Sequence, residues 1–264
     1  MAIIPTIEYE TKLQERLSAP MVWKEICLVK YTNSGIWRNP YLTDPTIGTG
    51  TRGTGYTSTA IATVDDTVTI NTYKYAAEHI DDADLAQKTF SDFMEIADRI
   101  GTLLNETMET AMLAEHAQWT NFDNASIGGA AGNITVAISN IKAIITGVKR
   151  EIREAGGGDL MNRNGAFIQW READFELVEQ LASSEGFSTA DDTLKNGIKQ
   201  GFKYMGVEHY STSKNASGHI FGGVKKAFAV GVVKSTYGKV KTIINPVVGG
   251  AQISGIGLES RIDY

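Results

Sequence analysis

The chain has 264 residues, a net charge of −6 and one cysteine, Cys27. That length fits one large domain or two small ones with a substantial core, and the acidic balance excludes a protein that holds nucleic acid by bulk positive charge, though not one with a local basic face. Cys27 has no intrachain partner and reads as a buried structural thiol in a protein of a reducing compartment or one indifferent to redox; residues 1–10 lack the basic and apolar regions of a signal peptide, and no apolar run approaches the ~20 residues of a membrane span.

Residues 1–30 carry Leu13, Leu17, Val22, Trp23 and Ile26 without sustained periodicity, and Pro5 and Pro20 interrupt regular structure. The segment reads as an arm that packs on something else, either its own body or a neighbouring subunit. Lys12, Arg16, Lys24 and Lys30 give it a mild positive bias. Residues 31–80 read as an extended loop. Thr and Gly fill ten of the fourteen positions from Thr46 to Thr59. Beyond them Val64, Val68 and Ile70 share one face of a strand while Thr67 and Thr69 take the other, and Tyr73–Ile80 continues as strand. Threonine favours extended structure and glycine permits tight turns, so the segment is a β-hairpin with a long, flexible tip. Gly48, Gly50, Arg52, Gly53, Gly55 and Tyr56 lie where nothing anchors them to the same core. A loop this long is uncommon in a compact domain unless it is functional or disordered. The spacing Gly48-x-Gly50-x-x-Gly53 matches a dinucleotide fingerprint, but Pro45 precedes it, a Thr-rich run follows, and Asp65 and Asp66 come too early to bind a ribose.

The stretch from Asp84 to Trp119 is the organising element. Phe93, Ile96, Ala97, Ile100, Leu103, Leu104, Met108, Ala111 and Ala114 recur at helical spacing, and Asp92, Glu95, Asp98, Arg99, Asn105, Glu106 and Glu109 are placed on the wet face. Ser91 is the expected N-cap, with a separate short helix over 84–89. From Ser91 to Gln118 such a helix spans about 42 Å at 1.5 Å per residue. The expected core of this spine is Phe93, Ile96, Ile100, Leu103, Leu104 and Met108.

A Gly/Ala/Asn loop over 121–133 separates the spine from a second amphipathic helix. Its buried face is Ile134, Ile138, Ile141, Ile145, Val148 and Ile152, and Gly156 to Gly158 end it. Residues 166–170 form a short buried strand, 171–181 a third helix, and a short helix is expected near Thr193. Strands follow at 207–211, 219–222 and 227–233, then at 239–248 and 251–262 around a Gly249-Gly250 turn. The alternation of helix and strand predicts a sheet covered by helices.

Catalytic signals are missing. His79, His116, His209 and His219 are scattered, with no ligand spacing for a metal. Neither a nucleophile elbow nor a phosphate loop occurs. The pairs Asp81-Asp82 and Asp191-Asp192 read as helix caps. No enzyme activity, cofactor or metal is expected, although a soluble α/β enzyme with a Gly/Thr-rich lid loop stays open as an alternative.

The order of parts, together with Tyr9-Glu-Thr-Lys-Leu-Gln-Glu-Arg16, Asn39-Pro-Tyr-Leu-Thr-Asp-Pro45, Val68-Thr-Ile-Asn-Thr-Tyr-Lys74 and Ile80-Asp-Asp-Ala-Asp-Leu-Ala-Gln87, resembles the major capsid protein of tailed bacteriophages, with the Hong Kong 97-like α+β fold. The resemblance covers essentially the whole chain. It implies an unanchored N-terminal arm (1–30), an extended β-hairpin loop (31–80), a peripheral domain with the spine helix (81–125 and 234–264) and an α/β axial domain (126–233). It implies self-assembly through hexamers and pentamers into the icosahedral head that encloses double-stranded DNA. The protein would then be a virion component, assembled in the host bacterial cytoplasm. Separate scaffolding, portal and decoration proteins are the expected partners, DNA is met by non-specific electrostatics, and no membrane is involved. The tip residues named above would touch a neighbour, and Lys12, Arg16 and Lys24 are the candidates to face DNA. Some members carry a scaffolding segment ahead of the arm; here the arm starts at Met1, and the expectation is either that such a segment was never present or that scaffolding is a separate protein or unnecessary. An encapsulin-type bacterial compartment is the alternative within the same fold.

Overall fold

The computed structural model describes residues 6–18, 21–43, 47–53, 55, 62–80, 90–185, 201–214, 219–244, 247–248, 251–252 and 256–264. In chain order the helices are α1 (Thr6–Ser18), α2 (Val22–Ile26), α3 (Phe90–Ala114), α4 (Ile141–Glu154), α5 (Gly158–Asn164) and α6 (Glu172–Ser184). The strands begin with β1 (Leu28–Thr32), β2 (Ile36–Leu42), β3 (Thr63–Thr69), β4 (Tyr73–Ile80) and β5 (Ala166–Arg171). They continue with β6 (Phe202–Tyr204), β7 (Val207–Thr212), β8 (Phe221–Val224), β9 (Ala229–Val233), β10 (Lys239–Ile244), β11 (Val247–Val248), β12 (Ala251–Gln252) and β13 (Ile256–Asp263). The expected features at 81–89, at 191–193, at Tyr56 and at Gly249-Gly250, and the side chain of Phe93, lie outside the described residues.

One half of the molecule is built on β5. All but the last of its residues are buried, because helices cover one side while β7 and β8 flank it in a sheet of order β6-β7-β5-β8. Its partner β7 runs parallel, and β8 runs antiparallel. Ile141, Ile144, Ile145 and Val148 of α4 and Phe175, Val178 and Leu181 of α6 pack with Ile168 and Trp170 into one cluster. The sequence reading began α4 seven residues too early. Asn140 instead holds 135–137 out of the helix: its Oδ1 accepts from Ala137 N–H at 2.9 Å and its Nδ2 donates to the Thr135 carbonyl at 2.9 Å. A side chain that satisfies nearby backbone groups competes with helical bonding.

The other half is organised by α3, a helix of 25 residues. It includes Ser91, so that residue is within the helix and is not its N-cap. Ala97, Ile100, Leu104 and Met108 form the buried stripe, whereas Leu103 is 58% exposed. Adjacent residues on a helix point about 100° apart, and the covered side of α3 extends from Leu104 toward Asn105, which leaves Leu103 outside. The expectation for Leu103 is corrected on that ground. Asn105 and Glu109, placed on the wet face by pattern, are in fact buried. They lie on the flank of the stripe, where other elements cover them.

One cover is α1. Tyr9, Leu13 and Leu17 recur every fourth residue and are all fully buried, so the arm is a helix docked on its own subunit and not an unanchored one. Gly101 lets the two helices approach, since a Cβ there would sit 2.7 Å from that of Arg16. Asn105 Nδ2 reaches the Arg16 carbonyl at 2.8 Å. Leu13, Leu17, Trp23, Ile100, Leu104, Met108, Val232 and Ile262 close this second core.

Strand pairing joins distant parts of the chain. β4, grouped by sequence with the extended loop, pairs antiparallel with β13, which takes β10 on its other edge. β1 runs parallel to β9, and β11 pairs with β12.

Candidate assembly surface

β2 and β3 form an antiparallel ribbon in which Ile36 faces Thr69 at one end and Leu42 faces Thr63 at the other. Its root is fixed. Ile70 N–H donates to the Gly35 carbonyl at 2.8 Å, and Ile70 leans on Gly231 of β9, where a Cβ would stand only 3.2 Å from its Cδ1. Thr43 N–H donates to the Ala62 carbonyl at 2.9 Å and marks where the ladder ends. Between root and end the ribbon is wet: every residue of β3 except Val68 is exposed. An isolated two-stranded ribbon is marginally stable in water, and bare strand edges invite another chain.

The described residues of the tip, 47–53 and 55, are all exposed, Gly48, Gly50, Arg52, Gly53 and Gly55 among them. Among the described residues, and apart from chain neighbours, nothing lies within 4 Å of a Cβ placed on any of those four glycines, and Gly53 has φ +93°, a conformation that suits glycine. Ile47 is 95% exposed and Leu42 64%. An apolar side chain that bare gains nothing from its own fold.

The arm's cations are engaged within the subunit. Lys12 pairs with Glu15 at 3.1 Å, and Arg16 pairs with Asp98 of α3. Lys24 Nζ donates to the Leu17 carbonyl and lies over the Trp23 ring; burial lowers its pKa to about 8. The three are not gathered into a free basic patch. Two of them instead tie α1 and α2 to neighbouring segments, a role that the charge pattern alone did not signal.

Other polar groups also act inside the fold. Cys27 lies against the Met112 sulfur at 3.2 Å, and burial pushes its thiol up to about 12. Lys225 pairs with Glu208 beside the Tyr210 ring. The His116 and His219 rings meet at 4.4 Å beside Phe221, a pairing that their separation in sequence concealed. Among the described residues no group of three or more His, Cys, Asp or Glu could hold a metal, and no helix is long and apolar enough to cross a membrane.

No protein-family model matches the chain, and no curated protein matches it. Solved structures do. A virus-like particle from Pyrococcus furiosus superposes with a TM-score of 0.57 at 10% identity, over 97% of this chain and 92% of that one. The capsid of Ralstonia phage GP4 gives 0.56 at 9% identity, over 90% and 81%. The capsid of the cyanophage P-SCSP1u gives 0.52 at 14% identity, over 92% and 84%. The phage capsids among them define the fold of tailed-phage capsid chains. This chain has that fold, the Hong Kong 97-like one of tailed-phage major capsid proteins.

Proposed function

We propose that this chain is the structural subunit of the icosahedral head that encloses the double-stranded DNA of a tailed phage. The observation that carries the reading is the ribbon: two strands with one almost wholly exposed, and a glycine-rich tip whose described residues are all exposed, on a fold shared over nine-tenths of its length with capsid chains. Projecting strands gain stability by lying on a neighbour, and identical subunits that do so close by symmetry. In this reading α3 is the spine of a peripheral domain that also contains β4, β10 and β13. The half built on β5 is the axial domain, and the tip from Gly48 to Gly55 meets a neighbouring subunit. Packaged DNA would be held without sequence preference, with Lys12, Arg16 and Lys24 the first residues to test.

A compartment shell of the encapsulin type is the second reading, favoured by the likeness to the Pyrococcus furiosus particle over 97% of the chain. A lid-bearing enzyme is disfavoured, because the described glycines of the tip have open space around them. Electron microscopy of the purified full-length protein tests the shell: closed particles are expected, and a monomer at all concentrations would contradict it. Co-purified DNA or co-purified cargo protein then separates phage head from compartment.

A further inference from the structure

The two halves of the subunit meet at a buried polar pair. Glu109 of α3 is 5% exposed and Gln169 of β5 not at all. Gln169 Nε2 donates to Glu109 Oε1 at 3.0 Å, and Thr212 of β7 hydrogen-bonds the same carboxyl group. The Gln169 carbonyl oxygen is buried and, among the described residues, has no partner. A buried acceptor left unpaired is costly, so its position beside a carboxyl group needs a reason.

Carboxylic acids and primary amides have complementary edges. The amide N–H meets the acid carbonyl, and the acid O–H meets the amide carbonyl; a carboxylate has no hydrogen to give and can satisfy only the first half. We propose that Glu109 takes up a proton from solvent and, as the neutral acid, donates it in a hydrogen bond to Gln169 Oε1, clamping α3 to the sheet of β5. A small rotation of the amide brings both pairs into line, and no other bond is made or broken.

The surroundings favour the neutral form. Burial raises the Glu109 pKa, and the neighbouring Glu106 acts in the same sense, while Lys214 and the hydrogen bonds from Thr212 and Gln169 oppose it. Lys214 is itself paired with Glu106 at 2.7 Å. Among the described residues, Glu106, from α3, and Lys214, just after β7, are the charged groups that face the pair. A carboxyl group with a raised pKa stabilises the fold below its ordinary range and loses that contribution as pH rises through the raised value. The clamp therefore tightens in acid. It rests on this junction and not on the shell reading, so either can fail alone.

The test is the unfolding of the full-length protein in urea between pH 5 and 8, for the wild type, Glu109→Gln and Glu106→Gln. E109Q offers Gln169 an N–H at every pH. The stability of the wild type relative to E109Q should therefore rise as pH falls, by up to tenfold in the unfolding constant per pH unit for one proton. E106Q should keep that dependence. Carbon-13 spectra of labelled glutamate should show a carboxyl that stays protonated above the ordinary glutamate range and is absent from E109Q; Glu179, also raised by burial, should titrate alike in both proteins. A pH-independent gap, or a Glu109 carboxyl titrating with the rest, overturns the proposal. Should E109Q not fold, Gln169→Leu keeps the acid and removes its partner; a glutamate signal that titrates at the same pH in Q169L overturns the pairing.

Discussion

Trp170 Nε1 donates to His209 Nδ1 at 2.9 Å inside the four-stranded sheet. The ring's other nitrogen, Nε2, donates to the Tyr204 carbonyl at 3.2 Å. Both bonds are met only by the neutral tautomer with its proton on Nε2, since a protonated ring would turn a second N–H toward the Trp170 donor.

Acid should therefore loosen this half. Burial lowers the His209 pKa to about 4, against an opposing pull from the Tyr204 carbonyl. A histidine whose folded pKa lies below its unfolded value near 6.5 contributes stability that is complete above about pH 6.5. That contribution is lost as pH falls toward 4, and it amounts to a few kcal/mol as an order of magnitude. His209→Gln, which can still accept from Trp170, should flatten this part of the stability profile. Urea midpoints measured from pH 7 to 4 check it, and parallel profiles for the two proteins would refute the assignment.

Leu103 and Leu104 should differ sharply. Leu104→Ala empties a buried site and should cost about 2–5 kcal/mol. Leu103→Ala, at an exposed position, should stay within about 0.5 kcal/mol. Chemical denaturation of the unassembled subunit decides the matter, and equal losses would mean that α3 is rotated from the phase described.

The ribbon tip should be needed for assembly and not for folding. Thr43 and Ala62 already close the ladder by a hydrogen bond of 2.9 Å, so a tight turn can replace 44–61. The shortened chain is expected to remain folded by circular dichroism and to form no particles in the microscope. Normal particles would remove the tip from the interface; an unfolded chain would place it in the core.

The shell should be held without covalent links. Some shells of this fold family join a loop lysine to a neighbour's asparagine, and this chain has no lysine between Lys30 and Lys74. The guanidinium of Arg52 is a poor nucleophile, but its planar fork suits a neighbour's carboxylate. Particles boiled in detergent should give a single monomer band, and a ladder of oligomers would contradict this.

Binding of DNA fragments to disrupted particles should fall steeply with salt and show no base preference. Replacing Lys12, Arg16 and Lys24 by glutamine tests the arm. Because Arg16 and Lys24 also hold α1 and α2 in place, subunit stability must be measured alongside; retention that survives high salt would exclude a purely electrostatic contact.

Local chemistry alone made several elements legible. The long helix of α3, the hairpin around the Thr/Gly tip and the buried strand at 166–171 each follow from periodicity or turn composition within a short window. The same window cannot tell which of two adjacent leucines a wide apolar stripe will bury. Nor can it show that Asn105 and Glu109 are covered, because the covering groups, Arg16, Gln169 and Thr212, come from other parts of the chain. α1 was hidden for a related reason. Tyr9, Leu13 and Leu17 make a stripe only one residue wide, which gains its stability from docking, Tyr9 beside Ala97 and the two leucines beside Ile100 and Leu104, and not from its own sequence. The pairing of β4 with β13 joins Tyr73 to Asp263. Strand pairing is set by which edges the packed helices leave open, and that is decided only when the whole chain has closed around its cores.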